Sequence, residues 1–336
     1  MKTVTLAKIA EAAGVSVGTA SRVISGKAKQ CRISKDTVNR VKAAARKLSY
    51  SPLHIEKNLD SHKTNLIGLI IPSLKNQFFA EIAADVISEA EKHGYSVMVF
   101  DSMEDAKVLH KAVANLLDKK VEGMIVAPCG EDSMWLEQID KMLIPVVLVD
   151  RFYEDTTLSY VATNNYKGSM LAVNHLIQAG HRNIACIQGV TSSMPNKERV
   201  AGYEQAMKEA SLENNIRVIG DSFTIQNGYS STKTLLEAED RPTAIYTLAS
   251  TIMLGSLKAI REAGYKVPDD ISLVTFDNYF YLDYLEPPII RVNQPINDIC
   301  TLAVNILFKK IGKENVGVSQ IRLSPTMSTG KSVKTL

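Results

Sequence analysis

Residues 5–24, T-L-A-K-I-A-E-A-A-G-V-S-V-G-T-A-S-R-V-I, read as two short helices broken at Ala13-Gly14-Val15. In the first, Leu6, Ile9, Ala10 and Ala13 recur at i, i+3, i+4 and i+7, so one face is apolar while Lys8 and Glu11 lie on the other. Gly14 can take the left-handed conformation that ends a helix, and Ser16 is a good N-cap for the next. The second helix buries Ala20, Val23 and Ile24, which leaves Val17, Gly18, Ser21 and Arg22 outside with Thr19 at the flank. Small side chains, two hydroxyls and one guanidinium suit the floor of a DNA major groove, where Arg can bond guanine O6 and N7 and a helix N-terminus lies near phosphate. The same spacing also fits an ordinary αα-hairpin inside a helical bundle.

The chain has 336 residues, 45% of them hydrophobic, enough for two or three full cores, and a net charge of only +3. Residues 1–63 hold 13 Lys and Arg against 4 Asp and Glu, a local +9, which leaves −6 on residues 64–336. A basic headpiece on an acidic body is expected when one end touches nucleic acid, although Lys-rich linkers and solvated helix faces make smaller versions of it. Cys31, Cys129, Cys186 and Cys300 are far apart with no metal-ligand spacing and read as reduced, unpaired thiols. No signal-like apolar stretch opens the chain and no run reaches membrane-spanning length, so the expectation is a soluble cytoplasmic protein with no membrane partner.

Residues 25–33 form a basic loop, Ser34 caps a third helix with Asp36 in its first turn, and Val38, Val41, Ala45 and Leu48 supply the stripe that closes a small three-helix core. Tyr50-Ser51-Pro52 ends that helix, because a residue before Pro is pushed out of the α region. The expected domains are a helix-turn-helix headpiece over 1–50, a hinge segment over 51–64 and a ligand-binding core over 65–336. Residues 53–63, L-H-I-E-K-N-L-D-S-H-K, are polar except for Leu53, Ile55 and Leu59. They fit a flexible linker, or a segment that folds on DNA and pushes Leu59 between base steps in the minor groove.

From Asn65 onward strands alternate with amphipathic helices. Apolar runs at 66–71, 96–100, 123–126 and 145–149 are followed by a second set at 183–188, 218–223, 244–248 and 272–276. Near-continuous Val/Ile/Leu runs bounded by turns indicate parallel strands buried on both faces. The fold class is therefore α/β, two doubly wound parallel subdomains behind a three-helix headpiece, with ligands expected outside the carboxyl ends of the strands.

At those ends the first set presents Ser73, Asn76, Phe78 and Phe79, then Asp101, Pro128 and Asp150-Arg151-Phe152; the second presents Ser192, Ser193, Ala249-Ser250 and Asp277-Asn278-Tyr279. Rings stack on sugar C–H faces while Asp, Asn and Arg take hydroxyls, so the shared position points to a polyhydroxylated ligand, although each residue singly would serve equally as a loop cap. The six His are scattered, His181 reads as structural, and no G-x-S-x-G elbow or G-x-x-x-x-G-K-[ST] loop is present. No catalytic or metal site and no cofactor is expected.

With these motifs in view the chain resembles the lactose-repressor/galactose-repressor (LacI/GalR) family of bacterial transcription regulators over nearly its whole length. The headpiece stretch with its following Y-S-P carries the likeness, as do H-L-I-Q-A-G-H-R-N-I-A at 175–185, R-V-A-G-Y at 199–203, V-P-D-D-I-S-L-V-T-F-D-N at 267–278 and P-P-I-I-R-V-N-Q-P at 287–295. The resemblance implies a homodimer of headpiece, hinge helix and periplasmic-binding-protein-like core that reads a palindromic operator in double-stranded DNA. It implies that Val17, Gly18 and Arg22 read bases, that Leu59 wedges the central step, and that Arg199 and Asp277 contact a sugar. Two differences stand out: Leu53 and Glu56-Lys57 replace the family's usual Asn and Ala-Arg in the hinge, and Ala249-Ser250 replaces an Asn-Asp pair at the pocket.

A periplasmic sugar-binding protein would share the core but lack the headpiece, and a sugar-modifying enzyme would need a base or phosphate loop at the pocket. The expectation is instead a repressor of carbohydrate-utilisation genes controlled by a small sugar-like effector, and not an enzyme. Its DNA-binding set is Thr5, Ser16, Val17, Gly18, Thr19, Ser21, Arg22 and Leu59. Its effector set is Ser73, Asn76, Phe78, Phe79, Asp101, Arg151, Arg199, Ser250 and Asp277.

Overall fold

Apolar spacing in the first 48 residues resolves into three helices, α1 (Leu6–Ala13), α2 (Val17–Ile24) and α3 (Lys35–Lys47). The computed structural model describes residues 6–24, 28, 31–48, 63–130, 132–314 and 317–336. Ile9, Ala10, Ala13, Ala20, Val23 and Val41 form the headpiece core, with Leu6, Ile24, Val38 and Leu48 packed around it. Gly14 ends α1 at φ 62°, and Ser16 caps α2 by accepting the Thr19 N–H at 3.1 Å. Ser34 caps α3 in the same way, accepting the Thr37 N–H at 3.2 Å. The expected contributions of Thr5 and Leu59, and the hinge reading of Leu53 and Ile55, lie outside the described residues.

The core begins with β1 (Leu66–Ile71), α4 (Gln77–Lys92), β2 (Ser96–Asp101), α5 (Ala106–Asp118), β3 (Gly123–Val126), α6 (Met134–Met142), β4 (Val146–Val149) and β5 (Ser159–Thr163). It continues with α7 (Asn165–Gln178), β6 (Ile184–Ile187), α8 (Met194–Glu209), β7 (Arg217–Ile219), α9 (Ile225–Glu237), β8 (Ala244–Thr247), α10 (Ser250–Glu262), β9 (Ser272–Phe276) and β10 (Ile290–Asn293). The remaining elements are α11 (Ile296–Ile311), β11 (Gln320–Leu323) and β12 (Thr326–Met327). One sheet runs β11-β5-β4-β3-β1-β2 with every pair parallel; the other runs β12-β10-β9-β8-β6-β7, parallel except for antiparallel β12. Among the described residues no helix is long and apolar enough to cross a membrane.

The two subdomains are interleaved rather than consecutive, which the two successive sets of apolar runs do not reveal. The chain leaves the first sheet after β5, returns after β10 to lay α11 against α4 and add β11, and crosses a third time into β12. β5, β10 and β11 escape a search for apolar runs because S-Y-V-A-T, I-R-V-N and Q-I-R-L mix polar residues into short strands. The run expected at 218–223 stops at Ile219 because Gly220 turns the chain at φ 99°. His181 is structural: buried, it bonds Thr243 Oγ1 at 2.8 Å and the Lys334 carbonyl at 3.1 Å.

Helices α9 and α10 meet backbone to backbone, since a Cβ on Gly228 would lie 1.9 Å from the Ile252 carbonyl oxygen and one on Gly255 2.0 Å from that of Ile225. Gly255→Ala therefore forces the helices apart and is expected to destabilise the core by about 1–3 kcal/mol, read as a lower Tm in thermal melts followed by circular dichroism.

Candidate functional site

In the headpiece, the α2 residues Val17, Gly18 and Arg22 are exposed and Thr19 and Ser21 half-buried, so the first turn of α2 offers its smallest side chains to an approaching surface. Ser16 spends its Oγ on the cap and also bonds Thr19 Oγ1 at 2.9 Å. These two hydroxyls are spent on each other and on the helix entry.

In the core, a cleft opens between the carboxyl ends of the two sheets. Arg199 enters it from α8 and is only 4% exposed. Its Nε donates to Asn165 Oδ1 at 2.8 Å, its Nη1 to the Leu248 carbonyl at 2.7 Å, and its guanidinium lies 3.7 Å from the centre of the Phe276 ring. Asp277, left-handed at φ 81° just after β9, accepts the Ser250 N–H at 3.2 Å and Gln294 Nε2 at 2.7 Å. It thereby caps α10, whose own N-cap Ala249 has no acceptor to offer. Burial raises the Asp277 carboxyl above its ordinary range, against the pull of Arg199.

On the facing wall, Arg151 is held by Glu104 in a bidentate pair, both contacts at 2.7 Å, and stands 5.4 Å from the Phe79 ring. Asp150 sits between the two arginines at φ 61°, 3% exposed, and its Oδ1 is buried with no hydrogen-bond partner. Burial pushes its carboxyl up to about 6, partly countered by Arg199 and Arg151. Such an orphaned acceptor calls for a donor from outside the protein.

Tyr279 and Arg322 carry contacts between the walls. Tyr279, from the second subdomain, donates its hydroxyl to Asn76 Oδ1 at 2.9 Å and accepts the Phe78 N–H at 2.9 Å, so it shares the first turn of α4 with the Asn76 cap. Arg322 on β11 pairs with Glu198 on α8 at 2.8 Å. The walls leave about 30 Å³ of free space, room for one or two water molecules.

The structure brings Asn76, Phe78, Phe79, Arg151, Arg199 and Asp277 to this cleft. It turns the other three expected residues elsewhere, which corrects the sequence reading. Asp101 accepts the Leu74 and Met103 N–H groups at 2.9 and 2.8 Å, Ser73 accepts the Lys75 N–H at 3.3 Å, and Ser250 is fully buried with its hydroxyl on the Phe276 carbonyl at 2.9 Å. All three are loop or helix-end caps. Phe223 and Gln294 also line the cleft outside the expected effector set, as does Asp150 at the end of its strand. A carboxylate directly after an apolar strand is the sequence signal for Asp150; for Gln294 it is the stretch P-P-I-I-R-V-N-Q-P at 287–295, which carries the family resemblance but makes no long apolar run.

Residues 5–52 match the family described as bacterial regulatory proteins, lacI family, and residues 173–333 match the periplasmic binding protein-like domain. The ribose operon repressor of Haemophilus influenzae is 31% identical over 334 residues, spanning 99% of each chain. The chain belongs to the lacI family of bacterial regulatory proteins. Among solved structures, the complex of the transcriptional regulator CelR with cellobiose is similar at a TM-score of 0.79 and 25% identity, covering 98% of this chain and 99% of that one. The lac repressor dimer bound to operator and the anti-inducer ONPF is similar at 0.74 and 28%, covering 99% and 100%. This lacI-family chain is thus a transcription regulator with both parts of the family's architecture.

The Asp150 carboxyl titrates near 3.8 in the unfolded chain and at about 6 in the fold, so folding opposes its ionisation. That penalty develops as pH rises from about 4 to about 6 and is complete above it. Asp150→Asn is therefore expected to raise the Tm above pH 6 and to match the parent protein near pH 4, in paired melts from pH 4 to 8.

Proposed function

We propose that this regulator is a homodimeric repressor of carbohydrate-utilisation genes, reading a palindromic operator and taking a small sugar-like effector in the core cleft. The observation that carries the effector half is Asp150: a buried carboxylate with one unanswered oxygen, set beside Arg199 and Asp277 and walled by Phe78, Phe79 and Phe223. Rings for C–H faces and charged groups for hydroxyls make a chemistry for sugars. The names of the similar proteins, a ribose operon repressor and a regulator bound to cellobiose, agree with it. A bacterial operator as target implies action in the cytoplasm.

On DNA, Val17, Gly18, Ser21 and Arg22 read the major groove, Ser16 and Thr19 set the helix entry beside phosphate, and Thr5 and Leu59 complete the contact from the flanking segments. The second copy docks on the second subdomain, where Phe280 and Tyr284 are 71% and 84% exposed on one turn after β9. The effector shifts the population of parted and closed cores by binding them unequally. In the dimer, that change alters the spacing of the first subdomains, which bear the hinges.

A thermal-shift screen identifies the effector, since a ligand at 100 times its Kd adds ~2.7 kcal/mol to stability. Fluorescence anisotropy with operator DNA then reads the switch. Arg22→Ala is expected to cost about 1–3 kcal/mol of operator binding and to relax preference at one base pair in each half-site. Binding by the parent protein weakens steeply with salt, as phosphate contacts release counterions. An Arg22→Ala protein that binds like its parent would show the recognition surface to be misplaced. Phe280→Arg with Tyr284→Arg is expected to give a monomer by sedimentation, with operator affinity lowered because half-sites are no longer bound together; an intact dimer would move the interface elsewhere.

A further inference from the structure

We infer that the Tyr279 hydroxyl is a latch that holds the two walls of the cleft together and so sets the resting angle of the core, whatever molecule the cleft binds.

The phenol is presented by a turn that is itself held in place. Tyr279 is 1% exposed, and Arg291 on β10 grips the turn on both sides of it. Arg291 Nε donates to Asn278 Oδ1 at 3.0 Å, and its Nη1 and Nη2 donate to the Asp283 carboxylate at 2.7 and 3.0 Å. The Tyr281 ring stands 5.5 Å from the Tyr279 ring. A side chain supported in this way reaches across the cleft without the entropy loss of ordering a mobile loop.

On the opposite wall the hydroxyl closes a ring of three bonds. It donates to Asn76 Oδ1 at 2.9 Å and accepts the Phe78 N–H at 2.9 Å, while that N–H also reaches Asn76 Oδ1 at 3.1 Å. A phenol has one hydrogen to give, so it donates and accepts at once, and the bonds fix it against both a side chain and the backbone of α4. Its place in the fold gives it leverage. β1, which leads to Asn76, lies three strands away from β5, where the chain first crosses to the second subdomain. At about 4.8 Å per strand that is an arm of ~14 Å, on which an opening of about 4° stretches either bond by ~1 Å and carries it out of hydrogen-bond range. The Arg322–Glu198 ion pair, by contrast, springs from β11 beside the third passage and works on a short arm.

The test is hydrogen exchange followed by mass spectrometry on the full-length protein and its Tyr279→Phe variant, which keeps the ring and loses both bonds. Exchange is expected to accelerate at least fivefold in the first turn of α4 and also across the cleft in the first turn of α10, where the Ser250 N–H bonds Asp277. The buried strands β3 and β8 are expected to keep the parent's protection. Acceleration confined to α4 would make the hydroxyl a local helix cap, and parent-like exchange at both walls would make it idle. Loss of protection in β3 and β8 would make it a prop for the whole fold. Each of these three results overturns the inference. None of them depends on the effector or the operator, so the latch stands or falls apart from the proposed function.

Discussion

The core cleft depends on one buried cation. A guanidinium taken out of water is tolerable only if its N–H groups and its charge are both answered, and Arg199 is answered from three separate segments. Asn165 supplies an amide oxygen from the start of α7, Leu248 a carbonyl from the end of β8, and Phe276 a ring from the end of β9. The positive charge in turn favours the carboxylate forms of Asp150 and Asp277 in this buried cleft. Without it, two acids would face each other in low dielectric, and the strand ends that carry them would have no reason to converge.

The polar groups of the cleft are also the polar groups of the crossovers. Asn165 bonds the Thr163 carbonyl at 3.0 Å, and Thr163 donates its hydroxyl to Gln294 at 2.7 Å, whose amide in turn donates to Asp277 at 2.7 Å. Arg199 and Asp277 are therefore wired to the first and second passages between subdomains. A ligand bound at either residue would therefore touch the crossover segments directly, with no long relay through the sheets.

What could be read from the sequence follows from how local its causes are. The headpiece was legible because Gly14, Ser16 and Ser34 act on the residues next to them, and apolar spacing names the buried face. The central strands were legible because burial on both faces demands unbroken apolar runs. β5, β10 and β11 were not, because strands of four or five residues near a crossover mix polar and apolar positions, and with them went the interleaving. Ser250 and Asp101 look like ligand residues because each side chain has a partner far along the chain, the Phe276 carbonyl for Ser250 and the Leu74 N–H for Asp101. The weight of Asp150 was equally hidden: nothing in its neighbours says that both arginines will stand beside it and neither will bond its Oδ1.

Three passages between the subdomains have a mechanical meaning. Joined by one linker, two lobes could bend, swivel and slide, and a ligand would have to select among many arrangements. Three strands of chain side by side behave like a strap hinge: they yield to bending about one line and resist twist and shear. The position of the core then reduces to a single coordinate, the angle of opening. Under the proposed function, different ligands would then differ in how far they set that angle rather than in which way the lobes turn.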